Sequence, residues 1–143
     1  MSSVKELIRA EENGTLSFGD YELETKTKLT DFGFQGDLYK VKTFRDITKL
    51  ERNGMFVYES TPGTAVYDLT QDGNGMSFKV EGPSNAQITV ELAAQTPYEV
   101  WLDEESTGTM TTNLGGKLSF SVELENAPDG VEVRIRRSAT AGF

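Results

Sequence analysis

A period-two pattern dominates the second half of the chain and leaves little choice of fold class. Met76, Phe78 and Val80 alternate with Ser77, Lys79 and Glu81, and Ile88, Val90 and Leu92 alternate with Gln87, Thr89 and Glu91. Leu118, Phe120, Val122 and Leu124 alternate with Ser119, Ser121 and Glu123, and Val131, Val133 and Ile135 with Glu132, Arg134 and Arg136. Successive side chains of a strand point to opposite faces, so one apolar face per segment marks a half-buried strand. Turn chemistry separates the segments at Asp72–Gly75, Gly82–Asn85, Asn113–Gly116 and Pro128–Gly130. Further strands near 64–70, 98–103 and 107–112 bring the count to about seven, the number and spacing of an antiparallel sandwich.

The first sixty residues leave two places open. Residues 3–12 and the stretch after them form either a hairpin or a short helix. The hairpin has a Glu12-Asn13-Gly14 loop, Gly14 left-handed, and Ile8, Ala10, Leu16 and Phe18 on one face. The helix has Ser3 and Glu6 as a capping box and ends at Gly14. Residues 43–52 lead into a second hairpin through Glu51-Arg52-Asn53-Gly54, or form one or two helical turns. Between them, LTDFGF and LYKVKTF flank Gln35-Gly36-Asp37, again a hairpin pattern. The expected class is all-β and mostly antiparallel. Residues 1–62 read as a hairpin-rich β subdomain with a possible short helix, and 63–143 as a seven-stranded sandwich-like domain. The boundary falls near Ser60-Thr61-Pro62-Gly63.

Composition narrows the function classes. The 143 residues are 36% hydrophobic and 26% charged, an ordinary globular balance with room for one core or two small β units. No apolar run is long enough to cross a bilayer as a helix, and MSSVKELIRAEENG carries charge where a signal peptide needs its apolar stretch. The expected setting is cytoplasmic, with no membrane partner. Cysteine and histidine are both absent. That removes disulfides, thiolate nucleophiles, Cys/His zinc sites and the imidazole base, so neither a metal nor another cofactor is expected. The net charge of −9 argues against nucleic acid. It is unevenly placed: residues 1–62 hold nine basic and eleven acidic side chains (−2), and residues 63–143 five and twelve (−7). Within residues 26–52 the sign reverses. Lys26, Lys28, Lys40, Lys42, Arg45, Lys49 and Arg52 face only Asp31, Asp37, Asp46 and Glu51. A basic middle and an acidic end can attract each other within a chain or between copies.

No catalytic residue emerges from the motifs. Asp103, Glu104 and Glu105 follow one another after a strand, whereas glycoside hydrolysis needs two carboxyl groups across the scissile bond. There is no G-x-S-x-G, no S-x-x-K and no phosphate-cradling glycine loop. Trp101 is the residue whose position disagrees with its chemistry. Alternation sends Tyr98, Val100 and Leu102 inward and Glu99, Trp101 and Asp103 outward, leaving an indole between two acids on a nominal solvent face. It is covered by another part of the chain, anchors a self-association surface, or serves as a sugar-stacking platform. Trp101, Glu99 and Asp103 are therefore the binding or interface candidates.

Three resemblances accompany these residues. TQDGNGMSF, Thr70–Phe78, resembles the Asp-box turn of sialidases and β-propellers, with one extra residue, Ser77 for Thr and Phe78 for Trp; there the box is a structural turn. LAAQTPYEVWLD, Leu92–Asp103, resembles the Leu-x-x-x-Thr-x-Tyr-x-Val segment of fibronectin type III domains, which implies a corner between two sheets at Tyr98. VKELIR, YKVKTF and NGMFVYES are similar to short bacterial proteins automatically labelled endosialidase. That label carries no catalytic residue onto this chain, because endosialidase catalysis belongs to a far larger fold. The expected function is a non-enzymatic structural or assembly protein, self-associating as a homo-oligomer. The alternatives are a carbohydrate-binding or accessory β module and, further off, a glycan hydrolase.

Overall fold

The computed structural model describes residues 3–138, and among them there are strands but no helix. In chain order the strands are β1 (Ile8–Ala10), β2 (Leu16–Phe18), β3 (Thr27–Phe34), β4 (Asp37–Phe44), β5 (Ile47–Arg52), β6 (Met55–Thr61) and β7 (Ala65–Asp72). They continue as β8 (Gly75–Glu81), β9 (Ala86–Glu91), β10 (Pro97–Leu102), β11 (Glu105–Thr111), β12 (Lys117–Val122) and β13 (Val131–Arg137). Sheet I has the order β1-β2-β7-β8-β13-β10-β11, and sheet II β12-β9-β6-β5-β4-β3. Every pairing is antiparallel.

Both open segments resolve as hairpins. β1 and β2 pair Ile8 with Phe18 and Ala10 with Leu16, and Glu11 N–H donates to the Thr15 carbonyl, leaving residues 12–14 as the loop. Gly14 has φ +84, the left-handed position that a residue with a Cβ disfavours. Residues 43–52 hold the end of β4, a two-residue turn and β5, not helical turns. Each strand there finds a partner on both sides, which a short isolated helix cannot match.

The division at residue 62 does not separate two cores. β2 from the first half pairs with β7 from the second, and β6 pairs with β9. Of the seven strands in 63–143, β9 and β12 lie in sheet II, and β3–β6 supply the rest of it. Two strands would leave most of the apolar face of sheet I in water, so the first half is needed to close the sandwich. Residues 61–64 are the crossing between sheets. There Gly63 lies so close to β4 that a Cβ would sit 2.0 Å from the Phe44 carbonyl oxygen.

Alternation becomes burial across one shared core. Phe18, Met76, Phe78, Val80, Val100 and Ile135 of sheet I face Val41, Leu50, Tyr58, Ile88, Val90 and Phe120 of sheet II. The Tyr58 ring meets Phe18 and Phe78 edge-on, with centroids 5.3 Å and 5.6 Å away. Its hydroxyl is buried and hydrogen-bonded to Thr64 Oγ1 at 2.7 Å, which also meets Ser60 Oγ at 2.8 Å. Thr48 Oγ1 donates to the Thr64 carbonyl at 2.8 Å and accepts its N–H, and Thr43 Oγ1 joins Thr48 at 2.8 Å. These hydroxyls pin the crossing to β5 and β6 with their polar groups satisfied.

Tyr98 lies just after the passage from β9 in sheet II to β10 in sheet I. Its ring is buried and its hydroxyl accepts the Ala93 N–H at 3.1 Å, fixing that passage. The turn between β7 and β8 is a plain hairpin: Asp72 Oδ1 accepts the Asn74 N–H at 2.7 Å, which holds the carboxyl below the usual carboxylate range.

Candidate functional site

Period two places Trp101 on the outer face of sheet I, and it stands there half-buried on β10, one strand from the free edge β11. Its cover is local. Trp101 is paired in register with Arg134 of β13, whose guanidinium carbon lies 4.4 Å from the ring centroid. The indole is thus shielded on one side by a cation–π contact between cross-strand neighbours. Around it Ser77, Glu104, Glu132 and Arg134 line a shallow depression of about 660 Å³. Glu99, two residues earlier on the same face, accepts the Ser106 hydroxyl at 2.6 Å, tying β10 to β11.

Asp103 does a different job from its neighbours. Its N–H donates to the Glu132 carbonyl at 2.8 Å and its Oδ1 accepts the Glu132 N–H at 2.9 Å, so its carboxylate anchors the β10–β11 turn to β13. Glu104 and Glu105 are exposed at the tip of that hairpin. Asp103 and Glu104 both have positive φ, +52 and +71, the arrangement of a type I′ turn. The other turns of this kind carry Gly in second place, at Gln35-Gly36 and Asn53-Gly54. Sequence reasoning singled out Trp101, Glu99 and Asp103; the structure groups Trp101 with Arg134, Glu104 and Glu132 and assigns Asp103 and Glu99 to holding the hairpin.

A second surface lies on the outer face of sheet II. The strand registers line up Lys28 with Lys42, Lys42 with Lys49, Lys49 with Glu59, Glu59 with Thr89, and Thr89 with Ser119. Three lysines stand side by side across β3, β4 and β5. Lys40 precedes Lys42 on the same face of β4, and Lys26 lies 5.9 Å from the Phe44 ring. Among the described residues Lys49 has Glu51 at 3.6 Å, whereas Lys26, Lys28, Lys40 and Lys42 have no carboxylate within ion-pair distance. Burial lowers the Lys42 ammonium from its ordinary value, and Lys26, Lys40, Lys49 and Lys28 push it the same way. Like charges directly opposite one another oppose strand pairing. The sequence showed this as a basic segment; only the register makes it a row.

The cleft at the far end of the sandwich, about 480 Å³, has its cations already engaged. Arg52 donates to Gln71 Oε1 at 3.4 Å between the sheets, and Arg137 lies 5.9 Å from the Tyr98 ring. Among the described residues no group of three carboxylates is placed to hold a metal ion, and no helix is long and apolar enough to cross a membrane. Neither a protein family, nor a curated protein, nor a solved structure matches this chain.

Proposed function

We propose that this chain is a non-catalytic β-sandwich that self-associates, with the Trp101 patch of sheet I in the contact surface. The observation that carries the reading is the outward, half-buried indole standing one strand from an unpaired edge. Tryptophan is enriched at the well-packed centres of interfaces, and free edge strands are surfaces that proteins either guard or use. Closed homo-oligomers are the common way to use them. The absence of catalysis is supported by the use of Asp103 in the turn and by the exposed hairpin tip that carries Glu104 and Glu105. Glycoside chemistry needs two carboxyl groups facing across a bound sugar.

The test is light-scattering mass across a dilution series, with wild type beside Trp101→Ala. Mass should rise with concentration, and the substitution should weaken association by about 2 kcal/mol, roughly thirtyfold. A monomer at every concentration rejects the reading. An oligomer unchanged by the substitution keeps self-association and removes Trp101 from the interface. One observation favours a second reading, a glycan-binding module: the same depression places an indole among Ser77, Glu104, Glu132 and Arg134, an aromatic platform ringed by hydroxyl-binding groups. Retention on a glycan array, lost in Trp101→Ala and without release of reducing ends, is its signature.

A further inference from the structure

The two surfaces described above are opposite in charge, and a single copy cannot bring them together. The lysine row lies on β3, β4 and β5, at one side of sheet II. The acidic tip lies between β10 and β11, at the far edge of sheet I: β3 borders β1, and β1 and β11 are the two opposite edges of that sheet. Within one molecule the lysines therefore keep their mutual repulsion, and Glu104, Glu105 and Glu132 stay exposed at the other side.

We infer that the lysine row Lys28, Lys42 and Lys49 of one copy receives the acidic hairpin tip, Glu104 and Glu105, together with the neighbouring Glu132 of β13, of a second copy. This rests on the self-association proposed above and names its two faces. Charge complementarity identifies the occupant. The row has three lysines on adjacent strands, whose backbones lie about 5 Å apart, with carboxylates only at its Lys49 end, where Glu51 and the cross-strand neighbour Glu59 lie. The tip offers Glu104 and Glu105, and Glu132 of β13, in register with Lys79, adds a third carboxylate, with Trp101 and Arg134 beside Glu104 and Glu132. Phe44, half-buried beside the row two residues past Lys42 on β4 and under Lys26, gives the indole an apolar neighbour to pack on. A second copy also explains Glu104. A left-handed φ of +71 is a position where glycine serves the turn better, and a glutamate there supplies charge on the exposed turn of the hairpin. Because the two faces differ, the contact is heterologous, so copies add head to tail into a ring or an open chain.

The experiment is a charge exchange. One variant carries Lys28→Glu and Lys42→Glu; the other carries Glu104→Lys and Glu132→Lys. All four positions lie on the outer surface, and far-UV spectra and thermal midpoints check that each variant folds. Apparent mass is measured for wild type, for each variant alone and for their equimolar mixture. Alone, each variant presents like charges on both faces and should associate at least about tenfold more weakly than wild type. Mixed, each variant's reversed face meets its match on the other, and mass should return toward the wild-type value. Wild type that is monomeric throughout rejects self-association and this inference with it. Wild type that associates, with variants that associate equally well or a mixture that stays monomeric, overturns the pairing of these faces and leaves self-association standing. Should either double variant fail to fold, the single changes Lys42→Ala and Glu104→Ala take their place. Undiminished association in both then overturns the pairing.

Discussion

Replacing Glu104 by glycine should stabilise the fold and weaken association, two effects of opposite sign from one residue. Glu104 occupies the second central position of a type I′ turn with φ +71. The left-handed conformation costs a residue with a Cβ roughly 1–2 kcal/mol, a cost glycine does not bear. Glycine gives back part of the gain through the larger freedom it has in the unfolded chain, about 0.5–1 kcal/mol. The net expectation is about 1 kcal/mol of added stability, or roughly 3 °C in midpoint for a chain of this size. Two turns in the same molecule serve as internal references, since Gln35-Gly36 and Asn53-Gly54 have the same signs of φ with glycine in place. The assay is urea and thermal unfolding under dilute conditions where the protein is monomeric, because association would itself raise apparent stability. Glu104→Ala is the control: it removes the charge and keeps the Cβ, so it should weaken association and leave stability near wild type. A Glu104→Gly variant no more stable than Glu104→Ala would refute the argument from backbone strain.

Two further perturbations probe the interior and the acid limb. Thr64→Val keeps the shape of a buried side chain while removing the oxygen shared by Tyr58 and Ser60, and should cost about 1–3 kcal/mol in urea unfolding. A loss below about 0.5 kcal/mol would mean those hydroxyls re-pair freely. Glu11 Oε2 accepts from Ser17 Oγ and from Arg9, and these bonds, the Ser17 one first, hold its carboxyl below the usual range. A carboxylate whose folded value is lowered contributes stability above its unfolded value, about 4.3, and loses it as pH falls through the folded one. Ser17→Ala should therefore lower the thermal midpoint at pH 7 by more than at pH 3. A gap that stays constant across that range would exclude Glu11 as its source.

Much of the candidate site was legible along the chain because alternation is local. The outward direction of Trp101 and Glu99 follows from counting in twos through Tyr98, Val100 and Leu102, and the acids at 103–105 follow from the turn. The partners were not legible. Arg134 lies 33 positions from Trp101 and meets it only because β13 inserts between β8 and β10. Alternation marks Asp103 as an outward binding candidate, whereas its bond to the Glu132 N–H makes it part of the turn.

The sequence by itself left residues 3–12 and 43–52 open between strand and helix, and determined the strands of the second half, their inward faces and most of their turns. Those depend on the two-residue repeat of the backbone and on the conformational limits of Gly, Asn, Asp and Pro, properties of a few neighbouring residues. Only the tertiary structure decided that β2 pairs with β7 and β6 with β9, that both halves share one core, and that Lys28, Lys42 and Lys49 stand in one row. Pairing partners and registers are fixed by burying every apolar face at once, a condition on the whole chain, and a one-residue slip in β4 would turn Lys42 inward.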